Sequence, residues 1–149
     1  MDNRAEIRRL LLRSRKAADE HIKRIRTADP LTPELLYEEL YQYVLVKYLL
    51  TDEDKPEGDG FDELTELSLA KSMKISPALV AEFDTAQSCD GATSAMAKKV
   101  LLFRSIENGL DIRIPAMESA RIKTMQDFSR MLWHTMQEYP EYAGRMNDQ

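Results

Sequence analysis

Apolar residues recur at helical spacing along most of the chain, and the first two such runs are separated by a short break. In the first run, from Asp2 or Asn3 to about Thr27, apolar positions occupy one face and arginines the other. The apolar positions are Ile7, Leu10, Leu11, Ala18, Ile22 and Ile25. Asp29-Pro30 ends the run, because proline disfavours a helical conformation in the residue before it. The pattern therefore predicts one long amphipathic helix.

The second run, about 33–50, is apolar on nearly every side. Its apolar residues are Leu35, Leu36, Leu40, Tyr41, Val44, Leu45, Tyr48 and Leu49. Thr32 supplies an N-cap and Pro33 a proline in the first turn. A helix with so little polar face must be buried by neighbours on more than one side. Residues 1–51 are therefore predicted to form a helical hairpin.

Acidic residues, a proline and two glycines dominate residues 52–60. This composition cannot build a hydrophobic core, and it predicts a solvated acidic linker between the hairpin and a C-terminal domain of residues 61–149. The acids also raise the possibility of a calcium loop. They lack the ligand spacing of an EF-hand, which favours the linker.

The C-terminal domain shows four helical segments and no run long enough for a paired strand. They are a helix from Phe61 to about Met73, a short turn after Ser76-Pro77, a helix capped by Thr93 or Ser94 that extends to Asn108-Gly109, and a helix capped by Thr124. Ile112-Arg113-Ile114 alternates for only three residues. The tail after Pro140 is predicted to fray. The fold class is therefore all-α.

Composition excludes several classes of function. One cysteine among 149 residues rules out an internal disulfide framework and fits a reducing, cytoplasmic compartment. No apolar run approaches the roughly 20 residues that span a bilayer, and the charged N-terminus is unlike a secretory signal. His21 and His134 are the only histidines, so neither a zinc site nor a base for Cys89 is indicated. We expect a protein without catalytic or metal-binding residues.

Charge is distributed unevenly along the chain. Residues 1–27 hold nine Lys/Arg against four Asp/Glu, and residues 51–90 hold eleven acids against three bases. Such asymmetry arises either from a basic arm for nucleic acid or from two segments that attract each other. No nucleic-acid motif or aromatic platform accompanies the arginines, so intramolecular attraction is the favoured interpretation.

Three elements in the second half of the chain occur in a distinctive order. Gly91-Ala92-Thr93-Ser94 precedes a long helix, Ile112-Arg113-Ile114-Pro115 follows that helix, and Ile122-Lys123-Thr124-Met125-Gln126-Asp127-Phe128 opens the last one. This order, from about Phe61 to Met136, resembles the acyl carrier protein family. The resemblance implies a four-helix bundle with a brief third helix and a fourth helix capped by Thr-x-x-Asp. Residues 1–60 have no counterpart in the minimal carrier.

The resemblance gives Ser94 a functional interpretation. It implies that Ser94 carries 4'-phosphopantetheine, and the positive end of a helix favours a phosphodiester at that position. Serine is also among the commonest helix caps, so a purely structural Ser94 remains the alternative. Thr93 and Ala95 stand where the family has aspartate and leucine. The helix after Ser94 carries Lys98, Lys99 and Arg104, where family members present acids to partner enzymes.

Two main hypotheses of function follow. The first is a non-catalytic carrier that tethers an acyl or similar group through phosphopantetheine on Ser94 and presents it to partner enzymes. Its bundle would be lined by Met96, Val100, Leu101, Phe128 and Leu132. The second is an unmodified helical interaction or scaffolding protein that keeps the carrier fold, with a stable partner or as a homo-oligomer. Nucleic-acid binding through the first helix is a weaker third.

Overall fold

The computed structural model describes residues 4–75 and 95–147, and it confirms the all-α class for them. The helices are α1 (Arg4–Thr27), α2 (Pro33–Lys47), α3 (Phe61–Ile75), α4 (Ala95–Leu110), α5 (Ala116–Arg121), α6 (Met125–Met136) and α7 (Pro140–Ala143), with a 3-10 turn at Asp52–Asp54. Within this part of the chain no strand forms, and two isolated bridges join Leu31 to Met146 and Gly60 to Thr124.

Helices α1 and α2 pack against each other, and the N-terminus predicted for α2 is confirmed. Thr32 Oγ1 accepts a hydrogen bond from the backbone N–H of Leu35 at 3.2 Å, and Pro33 occupies the first turn of α2. At the other end Leu49 adopts a positive φ of 58°. This allows Leu50 N–H to donate to Leu45 O at 2.8 Å, the hydrogen bond that closes a Schellman motif.

Helix α2 lies at the centre of the hydrophobic core, as its apolar surface predicts. It packs against α1 on one side and α6 on another. Three rings from α3, α4 and α6 meet edge to face in the same core: Phe61 lies 5.7 Å from Phe128, and Phe103 lies 4.7 Å from Phe128, between ring centroids. The buried side chains of the hairpin and of residues 61–147 belong to one core.

Helix α1 is buried along only part of its length. Between residues 5 and 17 no side chain is buried, and Ala18, Ile22 and Ile25 are the first to enter the core. Leu10, predicted on the buried face, is 37% exposed. The first three turns of α1 therefore expose much of their surface to solvent, and only the C-terminal part of the helix packs into the core.

The face of α4 differs from the prediction. Met96 and Val100 are 77% and 51% exposed, so their assignment to the bundle interior is wrong. Leu101 is partly buried, while Phe128 and Leu132 of α6 are fully buried as predicted. The core face of α4 carries Leu102, Phe103, Ile106 and Leu110. The apolar residues of α4 lie on two faces, and sequence spacing alone did not identify the buried one.

Helix α4 also passes through the predicted stop at Asn108-Gly109. It continues to Leu110, and Asp111 follows with a positive φ of 56°. Gly109 instead serves close packing, since a Cβ at this position would lie 3.2 Å from Cγ2 of Ile22. The glycine allows α4 to approach α1.

The prediction that the tail frays after Pro140 is wrong. Tyr142 is only 1% exposed, and its hydroxyl donates to Leu110 O. Leu31 N–H donates to Arg145 O at 2.6 Å, and Asn147 N–H donates to Leu31 O at 2.8 Å. These contacts hold the tail against the link between α1 and α2.

Candidate functional site

Ser94, the predicted attachment site of phosphopantetheine, lies outside the described residues. The same applies to Thr93, Cys89 and the predicted turn after Ser76-Pro77. The later elements of the resemblance are described. Ile112 and Ile114 are buried, the connecting helix α5 has six residues, and Thr124 Oγ1 accepts from the N–H of Asp127 at 3.0 Å.

The N-terminus of α6 is satisfied largely from another part of the chain. Asp59 O accepts from Met125 N–H at 2.8 Å, and Asp59 Oδ2 accepts from Gln126 N–H at 2.9 Å. With the Thr124 cap, the N–H groups of the first three residues of α6 all have acceptors. Asp59 is thus more than a solvated linker residue, because it fixes where α6 begins.

A groove of about 630 Å³ runs between α2 and α6 beside this cap. Its lining residues are Pro33, Glu34, Tyr37 and Glu38 of α2, and Gln126, Ser129, Arg130 and Trp133 of α6. The volume lies within the range of protein ligand sites, roughly 300–1,000 Å³. We refer to these eight residues as the α2–α6 groove.

Two nearly buried polar side chains line the groove without a hydrogen-bond partner among residues 4–75 and 95–147. Ser129 is 6% exposed and Trp133 is 8% exposed, and they lie one turn apart on α6. Neither the Ser129 hydroxyl nor the Trp133 indole N–H makes a hydrogen bond with another residue of the described ranges. Buried polar groups are satisfied in the great majority of cases. Both side chains belong to the lining of the groove, so their polar groups are candidates for contact with a ligand.

Tyr37 on the α2 wall is held in place. Its hydroxyl donates to Asp59 Oδ2 at 3.3 Å, and its ring lies edge-on to Tyr41 with centroids 5.8 Å apart. Burial raises the pKa of Tyr37 to about 12, with a further contribution from the Asp59 carboxylate. The tyrosine is therefore protonated at neutral pH and presents a fixed ring to the groove.

The edges of the groove are charged. Glu34 and Glu38 of α2 and Arg130 of α6 are exposed, and none of the three forms an ion pair with another described residue. By contrast Glu39, next in the chain to Glu38, pairs with His21 at 2.6 Å. Opposite charges thus line the two walls without joining across the groove.

A second, smaller cavity of about 100 Å³ lies between α1, the end of α2 and α4. Lys98 borders it and is nearly buried, and its Nζ donates to Ser68 Oγ at 3.2 Å. Ser68 in turn donates to Tyr48 O at 2.8 Å. Lys98 therefore belongs to a packed polar network.

Lys99, the next cation of α4, also contacts other residues. Its Nζ donates to Ile122 O at 3.0 Å and lies 3.6 Å from Asp62 Oδ1. Of the three cations on α4 that distinguish it from the acidic helix of the family, only Arg104 is exposed. The described part of α4 is consequently less basic at its surface than its sequence indicates.

Sequence reasoning missed the α2–α6 groove. The sequence patterns indicated no ligand-binding role for Tyr37, Ser129, Trp133 or the two glutamates. The available signal was the spacing of Ser129 and Trp133, which puts a hydroxyl and an indole on one face of a helix that is otherwise apolar there. The groove itself depends on how α2 and α6 meet.

Comparison of the chain with protein-family models, curated proteins and solved structures finds no match in any of the three. Across residues 4–75 and 95–147, no helix has the length and apolar character needed to cross a membrane. The same ranges hold no cluster of three or more His, Cys, Asp or Glu side chains able to hold a metal ion.

Proposed function

We propose that this is a helical interaction protein whose α2–α6 groove binds an extended segment of a partner protein. The observation that carries the proposal is that Ser129 and Trp133 are nearly buried residues of the groove lining and have no side-chain hydrogen-bond partner among the described residues. A bound peptide supplies hydrogen-bond partners for the Ser129 hydroxyl and the Trp133 indole N–H, because its backbone offers both a carbonyl acceptor and an N–H donor at every residue other than proline.

An extended segment fits the groove better than a helix does. A helical partner uses its own backbone groups internally and would leave the indole N–H of Trp133 without an acceptor. An extended chain leaves every second carbonyl facing one side. The groove lining on α6 runs from Gln126 to Trp133, about 10 Å at helical rise, which an extended chain crosses with three or four residues.

The experiment is a selection from phage-displayed random peptides of about twelve residues, roughly 40 Å when extended. We expect enriched peptides whose binding changes the emission of Trp133, the only tryptophan of the chain. With a fluorescently labelled peptide as the readout, Ser129→Ala and Trp133→Phe should each weaken binding about fivefold or more, the effect of one lost hydrogen bond of about 1 kcal/mol.

His134→Ala is the matched control, since His134 is an exposed residue of the same helix outside the groove. It should bind the selected peptides as the unaltered protein does. Selection that enriches no peptide, or peptides that bind the Ser129 and Trp133 variants undiminished, would remove the proposal.

A second candidate, the carrier function, is favoured by one specific observation. The six-residue α5 is followed by α6 with Thr124 accepting from Asp127 N–H, in the order that the resemblance implies. In this proposal Ser94 would carry 4'-phosphopantetheine for partner enzymes. Co-expression with a broad phosphopantetheinyl transferase and intact mass measurement tests it. A mass gain absent from Ser94→Ala supports it, and no gain removes it.

A further inference from the structure

We infer that the α2–α6 groove selects a basic segment, one whose Lys or Arg side chain lies against α2 between Glu34 and Glu38. This inference rests on the proposed function and names the chemistry of its partner. The segment is a short extended stretch that combines a cation with free backbone carbonyls.

The two glutamates are placed to share one cation. Glu34 and Glu38 are four residues apart on α2, so their side chains are neighbours on the helix surface. Like charges at this spacing destabilise each other. Neither is neutralised by another described residue, whereas Glu39 has His21 and Arg24 within 2.6 and 3.5 Å. A cation from the partner would relieve the repulsion between Glu34 and Glu38.

The aromatic side chains favour the same ligand. Tyr37 lies between the two glutamates in sequence and, with Trp133, lines the groove. Cations are attracted to the faces of such rings. The protein already uses this contact nearby, where Lys55 Nζ lies 4.6 Å from the ring centroid of Tyr41. A cation at the α2 wall therefore meets carboxylates and rings together.

Arg130 fixes the side of the groove on which the cation binds. Its guanidinium stands on the α6 wall and repels a cation there. The backbone of the segment then forms hydrogen bonds with Ser129 and Trp133 on the same helix. An acidic segment would meet two carboxylates against one guanidinium, so the balance of charge disfavours it.

The test uses the peptides enriched from the random phage library, synthesised with a fluorescent label and measured by fluorescence anisotropy, a readout that also applies to the Trp133→Phe variant, which has no tryptophan. We expect them to carry Lys or Arg. Glu34→Gln with Glu38→Gln should weaken binding about fivefold, the effect of two partly exposed ion pairs. Raising the salt from about 0.05 M to about 0.5 M should weaken binding to the unaltered protein and change it little in the double variant.

Glu53→Gln with Glu57→Gln is the matched control, because both residues are exposed acids outside the groove. This variant loses the same net charge and should bind as the unaltered protein does. Equal losses in the two double variants would indicate a general charge effect and overturn the inference.

The outcomes separate the inference from the proposed function. Peptides that lose binding in Trp133→Phe, yet show no basic preference and bind the Glu34/Glu38 variant fully, overturn the inference and leave the groove as a binding site. Peptides that bind Trp133→Phe undiminished overturn both, since they bind elsewhere. Basic peptides that lose binding both to Trp133→Phe and to the Glu34/Glu38 double variant support the inference and the proposed function.

Discussion

The carboxylate of Asp59 accepts a hydrogen bond from the backbone N–H of Gln126 at 2.9 Å, across 67 positions of sequence. The same Oδ2 accepts from the Tyr37 hydroxyl at 3.3 Å. One carboxylate thus joins the start of α6 to the wall of α2, and these are the two helices that form the groove.

Asp59→Ala should therefore lower the free energy of unfolding by about 2 kcal/mol, because it removes a charge-assisted cap and the acceptor of Tyr37. Urea denaturation measures this. Glu57→Ala, an exposed acid in the same segment, should change stability by less than about 0.5 kcal/mol. Equal effects of the two substitutions would show that the Asp59 contacts contribute nothing specific.

The contact between α1 and α4 leads to a second prediction. A Cβ on Gly109 would lie 3.2 Å from Ile22 Cγ2, so a larger side chain there would force the buried Ile22 side chain to shift. Gly109→Val should cost at least about 2 kcal/mol of stability through overpacking. Gly144→Ala is the control, since a Cβ there meets nothing within 4 Å. Its melting temperature in thermal unfolding should be unchanged or slightly raised.

Stability should fall at alkaline pH. Burial raises the pKa of Tyr43 to about 12, and burial likewise raises the pKa of Tyr142 to about 12. Below about pH 10 these tyrosines are protonated in both the folded and unfolded states, and the stability is fully present. As the pH rises from 10 through 12 the unfolded state loses its protons first, so stability is lost.

Urea titrations between pH 8 and pH 12 measure this loss, expected to be on the order of 2 kcal/mol for each of the two tyrosines. Tyr43→Phe should flatten the dependence on pH, although it also removes the hydrogen bond to Ser105. An unchanged slope in Tyr43→Phe would contradict the assignment.

The register of α4 leads to a further prediction. Met96 and Val100 face outward, while Ile106 is fully buried. Met96→Ser and Val100→Thr should each change the free energy of unfolding by less than about 0.5 kcal/mol. Ile106→Ala should cost about 2–5 kcal/mol, because it leaves a cavity in the core. Large losses from the first two substitutions would place the buried face where the sequence alone put it.

The sequence predicted most of the local structure because local signals determine it. The Thr32 and Thr124 caps, the break at Asp29-Pro30 and the burial of α2 on several sides follow from short patterns, and the structure has each of them. Gly109 illustrates the limit. A glycine late in a helical pattern looks the same whether it ends the helix or admits a neighbouring helix.

The candidate site was less predictable for a related reason. Asp59 looks solvated in its own acidic segment, and its two partners lie far away in sequence. Ser129 and Trp133 can be placed on one face of α6 from spacing alone. Their lack of hydrogen-bond partners depends on which residues of α2 lie opposite, and periodicity does not determine that.

The groove makes a prediction about stability as well as binding. Because the Ser129 hydroxyl is nearly buried without a partner in the described chain, Ser129→Ala should leave the free energy of unfolding unchanged or raise it by up to about 1 kcal/mol. Chemical denaturation measures this. A loss above about 1 kcal/mol would show that the hydroxyl is already satisfied within the protein.

The most direct test of the central claim is the NMR signal of the Trp133 indole N–H, which is unique because the chain has one tryptophan. Titration with a peptide selected from the random library should move this resonance downfield and slow its exchange with water, as a new hydrogen bond to a backbone carbonyl forms. A peptide that binds tightly while the indole resonance stays in place would contradict the account.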